Sequence, residues 1–188
     1  MRTIWSLWHD ALAEERTQPA YLVEESGGWR EVSQAEAAQA VDELAHGLLA
    51  LGIEKGDSFG MLARTRLEWV LLDFALAQIG AVPAPIYPSS TSTECCYILE
   101  HSNAVGCFVE DDELLAKIEA ARPEHVYTIE TLPELRALGR EHATANPDAL
   151  VRAHEHIGDH DLFTLIYTSG TTGPPKGCMI LNRNYYDM

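Results

Sequence analysis

The chain has 188 residues, 46% of them hydrophobic and 22% charged, which is the composition of a globular protein with room for one domain or for one domain and part of another. Its formal net charge of −16 at pH 7 excludes nucleic acid and anionic membrane surfaces as partners of the bulk surface. The four cysteines form no C-x-x-C pair, which excludes a disulfide framework and a zinc ribbon and favours a reducing cytoplasm.

The N-terminal segment predicts an amphipathic helix. Its apolar residues recur at helical spacing, at Ile4, Leu7, Trp8, Ala11 and Leu12. The opposite face is acidic rather than basic, so this pattern favours a helix packed on the protein over one that lies on a membrane. The apolar run at 4–8 is too short for a signal peptide or a membrane span, and we expect no transmembrane segment.

A β-hairpin and a long helix are predicted next. Two short runs within residues 20–32 flank the turn signal Ser26-Gly27-Gly28. Ser33 then begins a helix, with Glu36 three residues later as a capping box, and Gly52 ends it.

Strands and helices alternate from residue 57 to 129, which predicts βαβ units and a mostly parallel sheet. The predicted strands are residues 58–63, 82–87, 105–109 and 125–129. The predicted helices are residues 67–79, the segment that Thr91 and Glu94 begin as a capping box, and residues 111–121. Because Pro83 and Pro85 interrupt the second of these strands, its hydrogen-bond ladder must be incomplete on one side.

Residues 132–160 have weak periodicity and predict a short helix at 133–142 followed by a loop. The end of this loop, residues 154–161, holds three histidines and two aspartates. A metal site is one interpretation, and a solvated linker is the interpretation that the pattern favours. The adjacent Cys95 and Cys96 are interpreted as helix packing rather than as a redox pair.

One stretch near the C-terminus has the composition of a phosphate-binding loop. Residues 162–167 form an apolar, β-branched and aromatic run that predicts a strand. The following residues, 168–177, are rich in glycine, threonine and serine and contain Lys176. Glycines let backbone N–H groups approach an anion, hydroxyls donate to phosphate oxygens, and the lysine adds a point charge. The alternative is a flexible surface turn.

The motif differs from the P-loop of ordinary NTPases, which needs Gly before the lysine and Ser or Thr after it. The run Tyr-Thr-Ser-Gly-Thr-Thr-Gly-x-Pro-Lys-Gly at 167–177 instead resembles the signature of the AMP-forming acyl-adenylate superfamily. The resemblance implies ATP, Mg²⁺ and coenzyme A as co-substrate. It also implies that this loop holds the β- and γ-phosphates of ATP. The implied ATP contacts are Thr168, Ser169, Gly170, Thr171, Thr172, Gly173 and Lys176. No residue is assigned as catalytic acid, base or nucleophile, or as a metal ligand.

Further stretches resemble long-chain fatty acid–CoA ligases within this superfamily. They are Arg66-Leu67-Glu68-Trp69, the run from Gly80 to Pro88, Tyr97-Ile98-Leu99, and Cys178 after the lysine loop. The resemblance implies that a fatty acid reacts with ATP to give acyl-AMP and pyrophosphate, and that coenzyme A then displaces AMP. One departure is Leu181-Asn182, where the family usually has a Thr-His or Ser-His pair.

The resemblance implies an α/β fold of layered βαβ units, the N-terminal portion of the acyl-adenylate-forming fold. We expect residues 1–188 to be the N-terminal part of an adenylation domain, without the small C-terminal domain and inactive alone unless that portion is supplied in trans. Two other interpretations stay open: a non-catalytic binding or dimerisation module, and an enzyme that adenylates another acid, such as an amino acid. Unpaired hydrophobic strands at 162–167 and 177–181 predict marginal solubility for the isolated chain.

Overall fold

The computed structural model describes residues 2–14, 17–168 and 173–185. The strands are β1 (Tyr21–Glu25), β2 (Gly28–Val32), β3 (Ser58–Leu62), β4 (Val82–Ile86), β5 (Ala104–Val109), β6 (His125–Thr128), β7 (Leu162–Thr168) and β8 (Lys176–Leu181). The helices are α1 (Ile4–Ala13), α2 (Gln34–Ala50), α3 (Leu67–Ile79), α4 (Ser92–His101), α5 (Asp112–Leu115), α6 (Leu132–Ala145) and α7 (Ala149–His154). Two 3-10 helices span Ala116–Ala121 and Asn182–Tyr185.

The centre of the molecule is a parallel sheet in the order β4-β3-β5-β6. Every residue of β3 is buried, because helices cover both faces of this sheet. Side chains of β3 and β5 alternate between two clusters: Phe59, Met61 and Phe108 pack with α2 and α3, whereas Leu62 and Cys107 pack with α4. The predicted mostly parallel α/β fold is confirmed.

Local signals fixed several element boundaries correctly. Ser33 and Thr91 each form the predicted capping box, with Glu36 and Glu94 respectively. Gly80 ends α3 in the left-handed conformation, with a φ of 74°. The proline-containing strand β4 lies at the edge of the four-stranded sheet, as its missing N–H groups require.

The region from 132 to 160 is more ordered than its sequence predicts. Helix α6 runs on to Ala145, and α7 occupies part of the predicted loop. The prediction of a solvated linker at 154–161 is wrong: the ring of His154 stacks on Trp5 at 4.5 Å, and Ile157 is buried. Asp161 pairs with Lys55 at 2.6 Å. These contacts dock the segment on the rest of the chain.

The predicted helix at 111–121 is α-helical for only one turn. Asp111 caps α5, and the chain then continues as a 3-10 helix over Ala116–Ala121. Cys95 is buried in α4, which confirms its interpretation as a packing residue. No helix among the described residues is long and apolar enough to cross a membrane.

Candidate functional site

The glycine-rich segment closes a β-hairpin. Strands β7 and β8 pair antiparallel, and their last partners are Thr168 and Lys176. The two ends of the connecting loop are therefore neighbours, so a threonine hydroxyl and a lysine ammonium flank the same segment. Gly173 has a φ of 96°, in the left-handed region that favours glycine.

Three of the predicted ATP contacts lie within this described hairpin, namely Thr168, Gly173 and Lys176. The other four, Ser169, Gly170, Thr171 and Thr172, fall outside the described residues. The role of all seven as ATP contacts stays a prediction.

The charge of Lys176 is available, in contrast to that of the other lysines. Lys55 pairs with Asp161 and donates to the carbonyl of His156 at 2.5 Å. Lys117 donates to the carbonyls of Pro88 and Ser90, at 2.6 and 3.0 Å. Lys176 is exposed, and within residues 2–14, 17–168 and 173–185 no ion pair engages it.

Tyr167 anchors the hairpin to the body of the protein. Its side chain is 7% exposed, and its hydroxyl lies 2.9 Å from Nδ1 of His101 at the end of α4. Burial raises the pKa of Tyr167, and the nearby Tyr97 adds to the effect. The sequence pattern places Tyr167 in a strand and at the start of the motif at 167–177, but it does not reveal this contact, because the partner residue is 66 positions away.

The close approach of the Tyr167 ring favours glycine at position 177. Tyr167 and Gly177 are cross-strand partners, and a Cβ at Gly177 would lie 3.1 Å from Cζ of the tyrosine ring. The glycine after the lysine therefore lets the ring lie flat on the neighbouring strand, directly next to the loop.

A buried hydrogen bond aligns this hairpin with the edge of the sheet. The hydroxyl of Thr164 donates to the carbonyl of Pro83 at 2.8 Å. This carbonyl belongs to the edge strand β4, where the hydrogen-bond ladder of the sheet ends. The Thr164 hydroxyl of β7 therefore supplies a hydrogen-bond donor on the open side of β4. As a result the C-terminal end of β7, at Ile166 and Tyr167, lies near the carboxyl ends of β3 and β4, where ligands bind in open α/β sheets.

A cavity of about 480 Å³ opens at this place. Its walls come from the ends of β3, β4 and β7 and from the start of α3, and they are mainly apolar and aromatic. They include Met61, Ala63, Trp69, Val70, Ile86, Tyr87, Ile166 and Tyr167. This space can hold an apolar or planar part of a ligand whose charged part reaches the loop.

The arginines beside this cavity are engaged in ion pairs. Arg64 contacts Glu110 at 3.3 Å and Asp111 at 3.1 Å. Arg66 contacts Glu68 at 2.7 Å and Glu110 at 3.2 Å. The hydrogen bond from Arg64 helps to lower the pKa of Asp111, after the backbone N–H of Leu114. The ion pairs of Arg64 and Arg66 therefore stabilise the edge of the sheet. Lys176, in contrast, is a described cation beside the loop that forms no ion pair with a described carboxylate.

Asn182 has a structural role at the position where the resembling family usually has histidine. It is 4% exposed, and its Oδ1 accepts from the backbone N–H of Ile4 at 3.0 Å. Its Nδ2 donates to the carbonyls of Gly158 and Asp161. Asn182 therefore joins the end of β8 to the N-terminus of α1.

The histidine-rich segment forms no metal centre in the described part of the chain. No group of three or more His, Cys, Asp or Glu side chains converges there. His154 packs against Trp5, and burial lowers its pKa to about 4. The histidine and aspartate side chains of helix α7 and the turn after it therefore do not converge on one metal position.

A family model for AMP-binding enzymes matches residues 8–188. The chain belongs to this AMP-binding enzyme family. The match covers the whole βαβ region and the hairpin, in agreement with the resemblance of residues 167–177.

Relatives of the AMP-binding family that resemble this chain include fatty acid ligases. A long-chain-fatty-acid–CoA ligase of Mycobacterium bovis is 36% identical over 191 residues, which cover 94% of this chain and 32% of that protein. One from Drosophila melanogaster is 26% identical, covering 97% of this chain and 30% of its own length. A solved Mycobacterium tuberculosis fatty acyl CoA synthetase superposes with a TM-score of 0.80 at 25% identity, over 99% of this chain and 36% of that one. The chain spans about a third of the length of these relatives.

Proposed function

We propose that this AMP-binding chain is the part of a fatty acid–CoA ligase that binds the phosphates of ATP. The observation that carries the proposal is the hairpin in which Thr168 and Lys176 face each other across the loop, next to the cavity at the sheet edge. The ligase names of the relatives support a fatty acid as the acid substrate.

The proposed reaction has two steps. A fatty acid carboxylate attacks the α-phosphorus of ATP, which forms acyl-AMP and releases pyrophosphate. The thiol of coenzyme A then attacks the acyl carbonyl, forms the thioester and releases AMP. Charge neutralisation and positioning dominate such chemistry, and both are what hydroxyls, backbone N–H groups and a lysine supply.

In this proposal Lys176 neutralises the departing pyrophosphate, and Thr168 donates a hydrogen bond to it. In the proposed reaction Mg²⁺ enters with ATP, as the Mg–ATP substrate. A cytoplasmic location remains a prediction from the cysteine pattern.

Lysine labelling tests phosphate binding directly. We expect Mg–ATP or pyrophosphate to protect Lys176 from acetic anhydride, measured by mass spectrometry of the 188-residue chain. Lys55 and Lys117 serve as internal references, because their ammonium groups are already engaged within the fold. Equal labelling of Lys176 with and without saturating ATP would contradict the assignment of the loop.

Pyrophosphate exchange into ATP tests the chemistry. The chain alone is compared with the chain joined to the part of the M. bovis ligase beyond the aligned region, since relatives are about three times as long. We expect exchange that depends on a fatty acid in the joined protein, with a loss of at least tenfold in Lys176→Ala. Arg183→Ala, which removes an exposed charge at the other end of the hairpin, is the matched control. Exchange that depends on an amino acid instead of a fatty acid would contradict the proposed acid substrate.

A further inference from the structure

A second cavity lies at the opposite end of β7 from the phosphate loop. It is an open pocket with a volume of about 320 Å³, lined by residues of α1, α3, the start of β7 and the 3-10 helix after β8. Phe163 lines it, five residues before Thr168, so roughly 16 Å of strand separates it from the loop. The inference drawn from it does not depend on the proposed ligase function.

Four aromatic rings face this cavity. Trp8 and Phe74 stack with their ring centres 4.3 Å apart, and Phe163 meets Tyr185 edge-on at 5.1 Å. The faces of aromatic rings carry negative potential, and several rings around one space attract an organic cation.

A carboxyl group lines the same aromatic cavity. Asp73 has no hydrogen-bond or ion-pair partner in the part of the chain that the structure describes. Burial raises its pKa to about 7. Asp73 is partly exposed, so water offsets part of the cost of an unpaired carboxylate among apolar side chains, and a cation inside the cavity would reduce the remainder.

The other polar groups of this cavity do not neutralise Asp73. Tyr185 is the second ionisable group among the lining residues, and its pKa is raised by burial and then by the Asp73 carboxylate. The indole N–H of Trp8 is buried without a partner among the described residues. No lysine or arginine lines the cavity within the described chain.

We infer that this cavity binds a small organic ammonium ion, with the carboxylate of Asp73 as counter-ion and the rings of Trp8, Phe74, Phe163 and Tyr185 as the cage. Alkylammonium and quaternary ammonium ions of about six to ten heavy atoms suit a space of this size. A phosphate, a fatty acid carboxylate or an adenylate would be repelled by the same carboxyl group, so this ligand class differs from the substrates of the phosphate loop.

Choline and its uncharged isostere 3,3-dimethylbutan-1-ol provide a matched pair of probes. Binding to the 188-residue chain is measured by calorimetry and by the fluorescence of the tryptophans at pH 8. We expect choline to bind at least tenfold more tightly than the isostere, because only the charge differs. Equal affinity of the two probes, or no binding of choline at millimolar concentration, would overturn the inference.

Two variants test whether the carboxyl group of Asp73 causes the tighter binding of choline. Asp73→Asn keeps the shape and removes the charge, so we expect choline affinity to fall at least tenfold and that of the isostere to stay within about twofold. Asp10→Asn, on the exposed side of α1 with 82% of its side chain accessible, is the control and should leave both affinities unchanged. Thermal melting of both variants checks that they fold, and full choline binding by folded Asp73→Asn would refute the assignment.

The pH dependence gives an independent readout. Choline should bind more weakly at pH 6 than at pH 8, by roughly tenfold, because protonation of Asp73 removes the counter-ion. In Asp73→Asn this dependence should disappear. A pH dependence of the same size in the Asn variant would mean that another group controls binding.

Discussion

At the scale of single residues, the β7–β8 hairpin, which carries the candidate phosphate loop, depends on the contact between Tyr167 and Gly177. The tyrosine is fixed from two sides: its hydroxyl meets His101, and its ring covers the glycine. Thr168 and Lys176 are the next residues along each strand, so the spacing between them is set by this pair. Thr168 and Lys176, which are expected to contact phosphate, are thus positioned by Tyr167, which is not itself a predicted phosphate contact.

Gly177→Ala tests this arrangement. The new methyl group would lie 3.1 Å from Cζ of Tyr167, so the ring must move, and we expect a loss of about 1–3 kcal/mol in the free energy of unfolding. In the joined protein we expect the KM for ATP to rise more than kcat falls, because the loop ends shift.

The glycine control for that experiment is Gly28→Ala. Gly28 also lies in a hairpin strand, but a Cβ there meets no atom within 4 Å. Urea unfolding should show little loss of stability for Gly28→Ala, and an equal loss in both variants would mean that the Tyr167 contact is not responsible.

At the scale of elements, the close contact of α2 and α6 decides how the region after the sheet folds. A Cβ at Gly139 would lie against the carbonyl of Glu43, and one at Gly47 would lie against the carbonyl of Leu135. The two glycines let the helix backbones touch. Glu43 is buried beside this contact and pairs with Arg136 at 2.8 Å and Arg140 at 3.0 Å.

Gly139→Ala should therefore destabilise the protein, although alanine favours a helix over glycine by about 1 kcal/mol. We expect a net loss of roughly 2–4 kcal/mol, because the methyl group forces α6 away from α2 and weakens the Glu43 ion pairs. Urea unfolding measures it. Glu141→Ala, on the exposed face of α6, should change stability by less than about 0.5 kcal/mol. A gain in stability for Gly139→Ala would mean that the helices are not in contact there.

The sequence predicted most of α6, at 133–142, but missed its last turn and helix α7, and the contact with α2 explains part of this shortfall. Gly139 lowers the helix propensity of α6, and the charged residues around it hide the apolar period. The helix is stabilised by packing on α2, which no local pattern reveals. The capping boxes of α2 and α4 were predicted correctly because all their atoms come from four consecutive residues.

At the scale of the whole molecule, the β7–β8 hairpin leaves an open edge. β8 pairs with β7 on one side, and no described strand pairs with its other side. Met179 is 67% exposed, and Ile166 on β7 is 39% exposed. An unpaired apolar strand edge promotes association between molecules.

We expect the 188-residue chain to associate with rising concentration, measured by sedimentation velocity, and Met179→Lys to reduce this association because a charge on the strand disfavours pairing. Val151→Lys changes a side chain of similar exposure, 57%, on helix α7 and should have no effect. A monodisperse wild-type chain over the whole concentration range would refute the marginal solubility predicted from the sequence.

The family, the alternation of strands and helices with a mostly parallel sheet, and the position of the candidate phosphate loop all follow from the amino-acid sequence. Each of these depends on residues that are close together in the sequence. They are the alternating strand and helix patterns of apolar residues, the capping boxes of four consecutive residues, and the contiguous motif at 167–177. All seven phosphate contacts stay predictions, and four of them lie outside the described residues.

The side chains that support the ends of this loop, and the groups that share a cavity, become visible in the three-dimensional fold. His101 reaches Tyr167, Thr164 reaches Pro83, and Asp73 joins Trp8 and Phe163, all across long separations in sequence. The physical reason is that packing brings distant side chains into contact, and the energy of such contacts depends on distances that no run of neighbouring residues encodes.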